Sequence, residues 1–337
     1  MTQEQRNTAF KKLGEYLRTP DAELTQLIQT AAQTNPWFTP KEIKRANDGI
    51  SAMLNPSDID HWLEQTLTTL STPKKVGLVL AGNIPLVGFH DILSVLATGH
   101  VALIKLSSQD KSLIPYLLDK LVELEPEFKP QIEFIERLED FDAVIATGSN
   151  NTSRYFEYYF SKVPHIIRKN RNSIAILGGD ESKQDLQLLG HDIFDYFGLG
   201  CRNVSKLYVP LNYQFSTFFE AIEDYKEAGN HNKYGNNYDY NKSIYLINQV
   251  KHFDNGFLLL KEDKGLASPL AVVFYEHYES IEGLTSQIDG LSEQIQCVVT
   301  KEKMQISSQQ VGFGESQRPR LWDYADGINT IDFLSSL

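Results

Sequence analysis

The fold is decided by the stretch Val76-Gly77-Leu78-Val79-Leu80-Ala81-Gly82-Asn83-Ile84-Pro85. Its first five residues are an unbroken apolar run, the pattern of a parallel strand buried on both faces. Gly-Asn-x-Pro then breaks the run into a turn. A helical pattern near Val87–Leu96 leads to a second short run, Val101-Ala-Leu-Ile-Lys105. The alternation continues with a helix over Ser112–Leu124, strand-like Ile132-Glu-Phe-Ile135, and Phe141–Ala146 closed by Thr147-Gly148-Ser149. Ser173-Ile-Ala-Ile-Leu177, ending in Gly178-Gly179, completes the series. Strands alternating with helices predict a doubly wound α/β layer over residues 74–198, with its ligand beyond the carboxyl ends of the strands.

Upstream, residues 1–73 read as a helical segment. Thr39-Pro40-Lys41-Glu42 joins an N-cap, a first-turn proline and a capping-box glutamate. Asn55-Pro56-Ser57-Asp58 repeats the device before Ile59, Trp62, Leu63, Leu67 and Leu70, which form one apolar stripe. Downstream, the strand Lys206–Val209, a helix around Ser216–Glu227 and apolar runs at Phe257–Leu260, Leu270–Phe274 and Ile295–Val299 predict a second α/β unit over 199–310. The Asn- and Tyr-rich stretch 229–241 reads as a long loop, a disordered insertion in preference to a substrate lid, and 311–337 as a tail.

The chain's 337 residues suit roughly two domains. With 32 basic and 44 acidic side chains the net charge is −12, which argues against nucleic-acid binding and against adsorption to anionic lipid. Two cysteines, Cys201 and Cys297, are too few for a disulfide framework, and a reducing, cytoplasmic setting is the expectation. The polar first residues have no signal-peptide core, and the run Val76–Phe89, broken by Asn83 and Pro85, is too short to span a membrane. None of the eight histidines pairs at ligand spacing with an acidic partner, so no metal site is expected. The fingerprint G-x-G-x-x-G is absent after the first strand, as is a phosphate loop ending in Gly-Lys-Ser/Thr.

Four junctions carry chemistry. Asn83, at the end of the first strand, has an amide able to donate to an oxyanion, although Gly-Asn-x-Pro is also an ordinary turn. Lys105 and Ser107 follow the second strand, where a lysine reaches a ribose or phosphate or is simply solvated. Thr147-Gly148-Ser149 opens a helix over Thr152–Phe160 whose free amides suit a pyrophosphate, or a plain polar cap. Cys201 closes Phe197-Gly198-Leu199-Gly200-Cys201, where glycines allow a tight turn and close substrate approach. Cys297, inside Ile295-Gln-Cys-Val-Val299, reads as a small core residue.

In order and spacing, Gly82-Asn83-Ile84-Pro85, Ile104-Lys105-Leu106-Ser107, Thr147-Gly148-Ser149, Leu177-Gly178-Gly179 and Gly198-x-x-Cys201 resemble the motifs of the aldehyde dehydrogenase superfamily. The compact length, the Phe197–Cys201 segment and Arg320-Leu-Trp-Asp-Tyr-Ala-Asp-Gly327 are similar to its acyl-CoA reductase (LuxC-type) branch. The resemblance implies two doubly wound α/β domains, Cys201 as nucleophile and Asn83 as oxyanion donor. It also implies a nicotinamide cofactor held by Lys105, Ser107, Gly148, Ser149, Gly178 and Gly179, and self-association, with the N-terminal helices as candidate contacts. The chain departs from the family pattern in three places. Ile176 stands where hydrolytic members carry a water-activating glutamate, which favours transfer to or from CoA. The glutamate that would hold a ribose is absent from Lys105–Gln109, which suits NADPH, with NADH as the other possibility. Leu199 replaces a glutamine beside the cysteine. The implied activity is reduction of an acyl-CoA, of fatty type, to the aldehyde. The alternatives are reduction of an acyl phosphate or acyl-carrier-protein thioester, and a non-catalytic nucleotide- or acyl-CoA-binding relative.

Overall fold

The computed structural model describes residues 1–64 and 72–337. Contacts divide the chain into two compact units, Met1–Asn170 with Pro319–Leu337, and Arg171–Arg318. The division falls between Asn170 and Arg171, not between 198 and 199 as the strand alternation predicts.

The first unit opens with helices α1 (Gln3–Arg18), α2 (Ala22–Thr30), α3 (Pro40–Met53) and α4 (Pro56–Glu64). Thr39 caps α3 as the sequence predicts, its hydroxyl accepting the Glu42 N–H at 3.3 Å. Ile59, Trp62 and Leu63 of α4 are buried, whereas Leu67 and Leu70 of the predicted stripe lie outside the described residues. Then come β1 (Lys75–Val79), α5 (Phe89–Ala97), β2 (Val101–Lys105), α6 (Leu113–Leu124), β3 (Ile132–Phe134), β4 (Ala143–Thr147), α7 (Asn150–Phe160) and β5 (His165–Arg168). The strands form one sheet in the order β3-β2-β1-β4-β5, with every pair parallel. The chain winds outward from β1 to β3, then returns to place β4 on the other side of β1. That reversal leaves a crevice beyond the carboxyl ends of β1 and β4, the place where such sheets take ligands.

The sequence pattern does not reveal β5, because its apolar content is only Ile166-Ile167 between His165 and Arg168. Arg168 itself is buried. Its guanidinium donates to both Asp91 carboxylate oxygens, at 2.7 and 3.2 Å, to the Ala325 carbonyl at 2.7 Å and to the Thr330 hydroxyl at 3.0 Å. The last nineteen residues are therefore fastened to the first unit, and the predicted tail 311–337 is divided between the two units.

The second unit contains β6 (Asn172–Ile176), α8 (Lys183–Phe194), β7 (Val204–Pro210), α9 (Phe215–Ala221) and α10 (Asn232–Ile247). It continues with β8 (Phe253–Asp254), β9 (Leu259–Glu262), β10 (Val272–Tyr278), α11 (Ile281–Asp289), β11 (Ile295–Thr300) and β12 (Gln310–Val311). Its sheet runs β12-β11-β6-β7-β10-β9-β8, parallel except for the antiparallel edge pair β8–β9. The strand Ser173–Leu177, predicted as the last of the first layer, is thus the β6 that lies between β11 and β7.

The stretch 229–241 is not a disordered insertion, since it contributes most of α10. Tyr234, Tyr238, Asn241 and Tyr245 are its buried residues, spaced four, three and four apart. Three of the four have partners for their polar ends: Tyr234 donates to the Phe257 carbonyl at 3.0 Å, Tyr238 to Asp254 at 2.6 Å, and Asn241 to the Leu270 carbonyl at 2.9 Å. A buried stripe of tyrosine and asparagine has helical period without aliphatic content, so apolar periodicity misses it.

Helix α12 (Thr330–Ser335) closes the chain in the first unit. His100, fully buried, accepts the Lys74 N–H at Nδ1 (3.0 Å) and faces the Leu334 carbonyl with Nε2 (2.9 Å), an arrangement that the neutral ring satisfies. Burial lowers its pKa, and the Leu334 carbonyl only partly opposes this. As pH falls through about 6.5 the unfolded histidine takes up a proton before the native one, so its contribution to stability is present at neutral pH and lost in acid. Urea unfolding over a pH series should show the advantage of the wild type over His100→Asn narrowing below about pH 6.5; a constant advantage would contradict this role.

Candidate active site

In the first unit, β1 ends in the loop Leu80–Leu86. Gly82 is buried so closely against the β2 side that a Cβ there would lie 2.5 Å from Ser107 Oγ and 2.6 Å from Ser107 Cβ. Only glycine permits that approach. The loop is fastened from below by buried Asp110, whose carboxylate accepts the Leu86 N–H at 3.3 Å and the Leu113 N–H at 3.1 Å. Burial raises the Asp110 pKa, and these N–H groups pull the other way. Leu86 is left-handed, φ 59°, and Asn83 lies half-buried between these anchors.

Ser107 Oγ accepts the Gln109 N–H at 3.2 Å and retains its own proton to donate. Lys105, exposed at the end of β2, makes no ion pair among the described residues. At the end of β4, the Gly148 N–H donates to the Arg168 carbonyl at 3.2 Å. Ser149 is the N-cap of α7, its hydroxyl accepting the Thr152 N–H at 3.3 Å. The structure therefore brings Asn83, Lys105, Ser107, Gly148 and Ser149 to the carboxyl edge of three adjacent strands, β2-β1-β4. Of this set, Lys105, Ser107, Gly148 and Ser149 fit a nicotinamide dinucleotide: an exposed ammonium, two hydroxyls and the start of a helix.

In the second unit, Tyr196, Phe197 and Gly198 follow α8 with φ values of 54°, 58° and 78°. Two aromatic residues in the left-handed region cost roughly 1–2 kcal/mol each, so the surroundings must hold them there. The chain then turns tightly over Gly200–Asn203: the Asn203 N–H donates to the Gly200 carbonyl at 3.0 Å and the Gly200 N–H to Asn203 Oδ1 at 2.8 Å. Cys201 is exposed at the tip of the turn. Arg202 is buried behind it, donating to Gln309 Oε1 at 2.8 Å and to the Ser316 carbonyl at 3.4 Å. Cys297 is fully buried in β11, with burial pushing its thiol pKa up. Ser173 Oγ lies 3.1 Å from Cys297 Sγ and donates to the Cys201 carbonyl at 3.0 Å, which ties the cysteine turn to the amino end of β6.

Gly178 and Gly179 are not brought to this thiol. They follow β6 at its carboxyl end, five residues beyond Ser173, or roughly 16 Å at the rise of an extended strand. Their N–H groups donate to the Glu181 carboxylate at 2.5 and 3.2 Å. A cavity of about 620 Å³ opens there, walled in part by Tyr278, Thr300, Lys301 and Met304. Ile176 is packed in the core with Tyr208, Leu284 and Val298. Gly178-Gly179, expected to let a nicotinamide approach closely, thus lie at the carboxyl edge of this sheet, whereas the Cys201 turn meets its amino edge.

The fold is that of the aldehyde dehydrogenases. Aldehyde dehydrogenase 21 of Physcomitrella patens, solved with its reaction product succinate, superposes with a TM-score of 0.71 at 14% identity, covering 100% of this chain and 84% of that one. An oxidoreductase of Marinobacter aquaeolei gives 0.68 at 10% identity, with coverage of 95% and 79%. The NAD+ complex of an aldehyde dehydrogenase from Bacillus cereus gives 0.66 at 14%, with coverage of 93% and 76%. No curated protein sequence matches the chain. Residues 51–214, a stretch that includes Asn83 and Cys201, match the family model described as acyl-CoA reductase (LuxC).

The tight contact at Gly82 makes a prediction. Gly82→Ala should cost about 1–3 kcal/mol, and Ser107→Gly in the same chain should recover most of it by making room for the new methyl group. Urea denaturation of the single and double variants measures this, and additive costs would refute the contact.

Proposed function

We propose that this chain reduces an acyl-CoA, of fatty type, to the corresponding aldehyde with NADPH or NADH, through a thioester on Cys201. The observation that carries the proposal is the exposed Cys201 at the tip of a turn tied at both ends, within the stretch 51–214 that matches the acyl-CoA reductases. A thiol presented in this way is accessible, and as thiolate it is the nucleophile of choice for a thioester carbonyl.

The Cys201 thiolate attacks the carbonyl carbon, a new C–S bond forms, and CoA leaves as its thiolate. Asn83 Nδ2 and the Cys201 N–H donate to the carbonyl oxygen as it becomes an oxyanion. Lys105, Ser107, Gly148 and Ser149 bind the cofactor. When bound, the nicotinamide supplies the hydride that takes the acyl group to the aldehyde level. Release of the aldehyde returns Cys201 as thiolate. Preference for CoA over water rests on the family match, because Ile176 is a core residue away from the thiol.

Cys201→Ala should lower acyl-CoA-dependent NADPH or NADH oxidation by on the order of 10³-fold or more. Asn83→Ala should cost about 10²–10³-fold in kcat. Intact-mass measurement after mixing with acyl-CoA alone should find one acyl group on the wild type and none on Cys201→Ala. Acyl phosphate and acyl-carrier-protein donors in the same assay decide the carrier. Full activity of Cys201→Ala would overturn the nucleophile, and absence of any acyl-enzyme would favour a binding protein without turnover.

A further inference from the structure

We infer that Asn203 is the positioning residue of Cys201, and that its side-chain amide, more than the glycines before it, holds the thiol at its attacking position. The inference rests on Cys201 being the nucleophile. Asn203 is buried, and every polar atom of its side chain is used. Oδ1 accepts the Gly200 N–H at 2.8 Å. Nδ2 donates to the Asp195 carbonyl at 2.8 Å and the Asp192 carbonyl at 3.1 Å, with the Ile193 carbonyl at 3.4 Å. The acceptor side therefore fixes the residue before Cys201, while the donor side grips carbonyls at the end of α8.

These two grips enclose the left-handed run Tyr196-Phe197-Gly198. That run is strained and would relax if its ends were released. Its amino end leaves α8, and its carboxyl end enters the cysteine turn through Leu199 and Gly200. Asn203 joins the two ends through one rigid amide plane. Only an amide of this length offers an acceptor to Gly200 and a donor to the α8 carbonyls together. A carboxylate retains the first and repels the second; alanine loses both.

The thiol is at the tip of this turn, so its position relative to a bound thioester follows the amide. A displacement of about 1 Å at a reacting atom can cost on the order of 10²-fold in rate. Substrate binding, by contrast, does not depend on where the sulfur sits.

The test uses Asn203→Ala and Asn203→Asp in the full chain, with the thiol content of the folded fraction as the denominator. The expected result for both is a fall of about tenfold or more in the single-turnover rate of Cys201 acylation, with KM for acyl-CoA within about threefold of wild type. Asn203→Asp should also move the pH midpoint of Cys201 alkylation by iodoacetamide upward, because a carboxylate beside the turn disfavours the thiolate. Acylation rates per folded thiol equal to wild type, or a loss fully accounted for by unfolded protein, would overturn the inference. Wild-type protein supplies a measurement that needs no variant: the Gly200 amide should be protected from hydrogen exchange, and rapid exchange there overturns the inference outright. Should Cys201→Ala retain reductase activity, the nucleophile fails independently. The alkylation profile and Gly200 exchange would still report on whether Asn203 positions the thiol.

Discussion

A parallel sheet has a direction, and the chemistry of this chain depends on it. In the second unit Ser173 at the amino end of β6 meets the turn that carries Cys201, while Gly178 follows the carboxyl end of the same strand. No rearrangement of side chains reverses that order, because β6 is held between β7 and β11 by both ladders. The thiol is therefore an amino-edge feature of its sheet. In the first unit the polarity works the other way: Asn83, Lys105, Ser107, Gly148 and Ser149 are all carboxyl-edge features.

The turn that carries Cys201 extends this constraint to atomic detail. Ser173 holds the cysteine carbonyl, Asn203 holds the glycine before it, and Arg202 is anchored to Gln309 and Ser316. Asp192 adds a further tie, accepting the Gly314 N–H at 2.7 Å and the Ser316 N–H at 2.9 Å. Burial raises the Asp192 pKa to about 6, against the pull of those N–H groups. Its charge is therefore held at a cost at neutral pH, and these contacts keep the 309–316 segment against the cysteine turn.

Much of this was legible in the sequence, and the reasons it was or was not are physical. Strands β1, β2, β4 and β7 are visible because burial on both faces demands unbroken apolar runs, and junction residues follow from where such runs stop. Thr39 and Ser149 were readable as caps because capping is local. Strand β5 was hidden because its buried end is Arg168, a charge made tolerable by Asp91 and by the Ala325 carbonyl and Thr330 hydroxyl, 157 and 162 positions further along the chain. Helix α10 was hidden because tyrosines and an asparagine line its buried face. The place of Gly178-Gly179 at the carboxyl end of β6 was not legible, because a short motif records composition without saying which end of which sheet it occupies.

The negative charge of the chain, −12, bears directly on how anionic ligands are held. Five cations stand near the junction segments in sequence, but Arg168 is committed to Asp91, Lys169 pairs with Glu157 at 2.7 Å, Arg171 donates to the Ser292 and Ile295 carbonyls at 3.2 Å, and Arg202 holds the 309–316 segment. Four of the five are thereby spent on the fold itself. Lys105 is exposed at the carboxyl edge of the first sheet, at the end of β2, with β1 between it and the β4 that leads to α7. In the proposed cofactor site, a phosphate at that edge would be met by one exposed ammonium and by oriented backbone N–H groups, whose partial charge at a helix start does not depend on net charge. Local dipoles and a single lysine can in this way bind an anion on an acidic protein, since surface charges more than about 8–10 Å away are screened at physiological salt.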